Sequence, residues 1–141
     1  MASFGRLPPP EGAGLAEDNT GALVSIKFCN LGFVTSQKWS SAYVTILDGV
    51  VRLYESEEAC RDNPEGNSFS EIVLESGFRA STIKKKDYSK NPLQIIYFYC
   101  FYIEQDQGVF SALRKLKIGC TDQKVAKQLA KAVNIQARGF G

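Results

Sequence analysis

The sequence predicts a mainly β domain that ends in one α-helix. Three observations carry this expectation. Short segments rich in Val, Ile, Tyr and Phe alternate with turn residues, an Asp48-Gly49 pair sits between two of them, and the apolar spacing becomes helical after residue 121. At 141 residues, 44% apolar and 23% charged, the chain fits a single domain able to bury a core without disulfide or metal support.

Residues 1–21 hold Pro8-Pro9-Pro10 and few apolar side chains, which cannot offset the entropy of ordering them, so a disordered tail precedes a domain at 22–138. The first strand is "ALVSIKFC", 22–29, followed by the loop "NLGFVTSQ". Strands two and three, 39–47 and 50–56, flank Asp48-Gly49, two residue types that tolerate the positive φ of a tight hairpin. "EEACRDNPEGN", 57–67, reads as a long loop. A fourth strand at 68–75 and a short fifth at 78–83 lead to Lys84-Lys85-Lys86, expected in a solvated turn. The aromatic run "LQIIYFYCFYIEQ", 93–105, is the sixth strand and 110–120 the seventh. The final helix spans 121–136, with Thr121 as N-cap and Val125, Leu129, Ala132, Val133 and Gln136 on one side. Lys124, Lys127 and Lys131 form its solvent face.

Composition narrows the function classes. The chain has no histidine, which removes imidazole acid–base chemistry, histidine triads and His-ligated zinc; no enzyme activity, cofactor or metal is expected. Cys29, Cys60, Cys100 and Cys120 show no paired spacing and read as reduced, intracellular thiols. The longest apolar run is about half the ~20 residues a spanning helix needs. The start, Met-Ala-Ser-Phe-Gly, has neither a signal-like segment nor a glycine at position 2, so no lipid anchor is expected from it. Charge divides unevenly: residues 1–78 carry 5 basic and 11 acidic side chains, residues 79–141 carry 12 and 4, so a total of +2 hides a basic second half. The aromatics lack interleaved arginines, and no nucleic-acid partner is expected.

Seven strands followed by one helix, with "KWSSAYVTILDGVVRLY" at 38–54 forming the second and third strands, resembles the pleckstrin homology (PH) domain family over about 22–136. The resemblance implies a seven-stranded, partly open barrel of two orthogonal antiparallel sheets, with the helix closing one corner. Where the family's helix carries a buried Trp, this chain has Leu129 or a neighbour.

It also implies a monomeric lipid sensor or recruitment module in signalling, cytoplasmic, and held peripherally at the cytosolic face of a membrane. Lys27 and Lys38 match basic positions of the family's phosphoinositide-binding members, but Ser40, Ser41 and Ala42 stand where the remaining basic residues belong. Without a bidentate arginine clamp, the expected partner is an anionic phospholipid membrane, with phosphatidic acid favoured over polyphosphoinositides. Arg52, Tyr54, Arg114, Lys115 and Lys117 complete the expected headgroup set, and Leu31, Phe33 and Val34 at the first loop are expected to enter the bilayer. In the family layout, the connection before the sixth strand lies at the opposite end from this mouth. The competing expectation is a PH-like module with a protein partner and no specific lipid, using the groove between the fifth strand and the helix.

Overall fold

The computed structural model describes residues 20–30, 33–34, 38–89, 93, 95–106 and 112–138. Its elements are β1 Thr20–Asn30, β2 Phe33–Val34, β3 Ser40–Leu47, β4 Val50–Tyr54, α1 Glu57–Asp62, β5 Ser70–Val73, β6 Phe78–Ala80, β7 Lys84–Asp87, β8 Tyr97–Asp106, β9 Ala112–Cys120 and α2 Gln123–Arg138. All pairings are antiparallel. Seven strands lie on one unclosed path, β5-β4-β3-β1-β9-β8-β6, while β2 attaches to β1 and β7 to β8. The expected mainly β class with a C-terminal helix is the observed one.

Period-two alternation decides what is buried. Ala22, Val24 and Ile26 of β1, Ala42, Val44 and Ile46 of β3, Phe101 and Ile103 of β8, and Leu116 and Ile118 of β9 face one core. Helix α2 adds Leu129, Ala132 and Val133, from the apolar side read from its spacing, and also Ala126. Ala42, aligned above with family phosphate contacts, is fully buried, so its side chain belongs to the core.

The β3–β4 turn has the anticipated geometry, with φ of 53° at Asp48 and 76° at Gly49. Gln136 of α2 reaches this turn. Its amide donates to the Ile46 carbonyl at 2.9 Å and accepts from the Gly49 N–H at 2.8 Å. At the other end of α2, Asp122 rather than Thr121 is the cap, accepting from the Lys124 N–H at 2.8 Å.

Three boundaries differ from expectation. Strand β1 begins at Thr20, inside the expected tail; residues 1–19 lie outside the described residues. The 57–67 loop contains α1, because Ser56 caps Ala59 at 3.0 Å, Glu57 and Glu58 suit the first turn, and Arg61 pairs back to Glu57 at 3.4 Å. The fifth strand splits: Ala80 pairs with Ile103 and Lys84 with Cys100, four steps against three, so one residue is extra. The Ser81 hydroxyl accepts from the Tyr102 N–H at 2.8 Å at this break, and the lysines expected in a turn form β7.

Two predictions follow from the packing. Gln136→Ala removes two hydrogen bonds and leaves turn groups partly unsatisfied, so urea unfolding should show a loss of about 1–3 kcal/mol. Burial pushes the Cys120 thiol up from 9.0 to about 12, helped by Cys100 and Asp122 nearby. The folded chain therefore holds this proton more tightly than the unfolded chain. The contribution is complete below 9.0 and is lost as pH rises towards about 12. Stability should fall through that window, and Cys120→Ala should flatten part of the fall.

Candidate functional site

The register of β1, β9, β8 and β7 assembles a cationic face on the side of the sheet away from the core. Lys27 lies opposite Lys117, and Lys117 opposite Tyr102. Two and four residues before Tyr102 on the same face come Cys100 and Phe98, opposite Lys84 and Lys86. Strand β9 carries one extra residue, Lys115, because Leu116 pairs with Ile103 and Arg114 with Glu104. The Arg114 guanidinium stands 4.2 Å from the Tyr102 ring centroid. Glu104, its register partner, is held by Arg79 at 2.9 Å.

Trp39 organises this face. It meets Phe98 edge-on at 5.1 Å and Tyr88 at 5.8 Å between ring centroids. Gly119 makes room for it: a Cβ there would lie 2.9 Å from both Phe98 and Trp39. The Lys27 and Lys117 ammonium groups approach the Trp39 ring to 4.8 and 5.4 Å, each contact worth about 0.5–1 kcal/mol at such a site. Trp39 Nε1 is buried with no hydrogen-bond partner among the described residues. Burial pushes the Cys100 thiol up, while Lys117, a side-chain hydrogen bond with Tyr88, Lys86 and Lys27 pull against that shift.

Like charges placed directly opposite across a strand pair are unfavourable. Lys27 and Lys117 are such a pair. Among the described residues, the ion pairs are Arg52–Glu71, Arg61–Glu57 and Arg79–Glu104, and none involves Lys27, Lys86, Arg114 or Lys117. An anion between these cations would relieve the repulsion, and the bordering aromatics would limit competing water.

Of the expected headgroup residues, Lys27, Arg114 and Lys117 come together. Lys38 is exposed in the bend before Trp39, and half-buried Lys115 is the bulge residue beside them. Arg52 and Tyr54 do not join them. Arg52 sits opposite Thr45 and is tied to Glu71 at 2.8 Å. Thr45 in turn faces Gly21, six residues along β1 from Lys27, which is ~20 Å away. Tyr54 is 1% exposed and its hydroxyl donates to the Pro64 carbonyl, making it a support for the segment after α1.

Leu31 lies outside the described residues. Phe33 and Val34, expected at a loop tip, form β2 and pair with Asn30 and Cys29. Lys84 and Lys86, given to a turn above, belong to the face; the available signal was their period-two spacing beside an aromatic strand.

An open groove of ≈ 720 Å³ runs between residues 80–83 and α2, with Ser81, Thr82, Lys85, Lys127 and Asn134 among its walls. No helix among the described residues is long and apolar enough to cross a membrane. Comparison with protein-family models and with curated proteins finds no match to this chain.

The seating of Trp39 is testable through its own emission, since it is the chain's one tryptophan. Gly119→Ala should dislodge the ring, shift its emission to the red and cost about 1–3 kcal/mol of stability by overpacking.

Proposed function

We propose that this chain is a PH-like module that binds reversibly to anionic phospholipid membranes, favouring phosphatidic acid over polyphosphorylated inositides. In this reading it works as a lipid sensor or recruitment module at the cytosolic face of a membrane. The observation that carries the reading is the opposed Lys27–Lys117 pair at the Trp39 ring, flanked by Arg114 and Lys86 and without a carboxylate partner among the described residues. Separate ammonium groups suit a compact phosphomonoester. Ser40 and Ser41, both exposed, supply none of the fork-shaped donors that suit several ring phosphates.

Liposome co-sedimentation at matched total charge tests both the binding and the ranking. Phosphatidic acid vesicles should pellet the chain better than vesicles of polyphosphoinositides or phosphatidylserine. Each basic residue near an anionic leaflet contributes about 1 kcal/mol, so Lys27→Glu or Lys117→Glu should weaken binding roughly tenfold or more. Lys127→Glu, on the solvent face of α2, should change it little. Equal pelleting on every anionic lipid would reduce the reading to unspecific electrostatics.

The groove beside α2 supports a second reading, a protein-interaction module whose partner lies between Lys85 and Lys127. Failure to pellet on any anionic vesicle, together with Lys127→Glu abolishing capture of a partner, would favour it.

A further inference from the structure

We infer that the tip of the β7–β8 hairpin, through Leu93 and Ile95, enters the bilayer as an apolar anchor while the cationic face lies along the headgroups. The inference rests on the membrane reading above and adds to it the element that penetrates and the orientation of the molecule. Leu93 is 97% exposed and Ile95 63%, with Tyr97 at the base of the tip at 39%. Isolated exposed apolar residues are ordinary, but three exposed within five positions just ahead of and at the start of β8 are an apolar concentration that water disfavours.

The stem holds this tip in place. The Tyr88 N–H donates to the Ile96 carbonyl at 2.8 Å, the Ile96 N–H to the Ser89 hydroxyl at 2.7 Å, and the Ser89 N–H to Asp87 at 2.8 Å. Tyr88 and Phe98 both pack on Trp39, which couples the hairpin to the cations around that ring. Two of its lysines are placed to meet headgroups: Lys84 and Lys86 share a face with Lys117, whereas Lys85, opposite Tyr99 and 4.2 Å from the Tyr97 ring centroid, lies on the other side of the sheet.

Lys86 lies two residues before the Tyr88–Ile96 closure, ~7 Å behind it along the strand. With the sheet face along the headgroups this offset is lateral, and it places Lys86 among the headgroups beside the tip. The acid of this stem, Asp87, is engaged by Ser89. The tip also lies at the far end of the strands from the β1–β2 connection, so a surface touching both tip and cations must run along the sheet face.

The test uses vesicles of phosphatidic acid in phosphatidylcholine at physiological and at high salt. Screening removes most of the contribution of exposed charges, and inserted apolar groups leave a salt-resistant fraction. The intact chain should retain such a fraction. Leu93→Ser with Ile95→Ser should remove it, lowering partition roughly thirtyfold, with Trp39 emission and melting unchanged. A second variant, Leu93→Trp, should be quenched by bilayer-borne quenchers beyond the level of the intact chain.

Pelleting of the intact chain with no effect of the double substitution, or with no excess quenching, overturns the anchor and leaves the membrane reading standing. Absence of pelleting by the intact chain overturns both.

Discussion

Strand β1 has to serve two neighbours whose registers scarcely overlap. Residues 20–26 pair with β3 and residues 25–28 with β9, so Ser25 and Ile26 are the positions with partners on both sides. In a flat sheet a central strand shares most of its length with both neighbours. Here the chain leaves one half of the path as it enters the other, and the halves meet along two residues. A shared core can then form between them under α2, to which both halves contribute. The same register sets Lys27 opposite Lys117. A slip of β1 by one residue would turn Lys27 inward and Ile26 outward, so core burial enforces the charge arrangement.

That arrangement opposes stability locally. Two ammonium groups face each other, and an indole N–H beside them is buried without a partner among the described residues. The aromatic packing of Trp39 on Phe98 and Tyr88 offsets part of this, as do the cation–ring contacts, at about 0.5–1.5 kcal/mol for each aromatic pair. Gly119 is the condition for it, since any side chain there would collide with the ring. A surface cluster that departs from local stability rules is where function is sought first.

The sequence showed the alternation of β1, β3, β8 and β9, the Asp48-Gly49 turn and the buried side of α2, because periodicity and turn chemistry are local signals. It concealed what depends on pairing. The Ser81 break and the Lys115 bulge each insert one residue, and such insertions are defined only against a partner strand. Lys86 therefore looked like part of a turn, and Arg52 and Tyr54 looked like neighbours of Lys27. Helix α1 was readable from Ser56, Glu57 and Arg61, but the Asn63-Pro64-Glu65-Gly66 stretch that follows outweighed those caps. Distance along the chain misled most for Arg52, whose glutamate partner lies on another strand.

The order of the strands also separates charge. Of the acids of the first half, Glu57, Glu58, Glu65, Glu71 and Glu75 lie on or beside α1 and β5, at one end of the strand path. Of the cations of the second half, Lys84, Lys85, Lys86, Arg114, Lys115 and Lys117 lie on β7 and β9, toward the other end, and Lys124, Lys127 and Lys131 lie on α2. A net charge of +2 would give weak attraction to a negative surface if it were spread evenly. Segregated, it gives a torque as well, because the acidic end is repelled while the basic face is drawn in. Screening limits this to separations of about 8 Å at physiological ionic strength, so orientation is selected in the last step of approach. A membrane reading needs this step, since insertion of a hairpin tip is productive only when the face beside it already points at the headgroups.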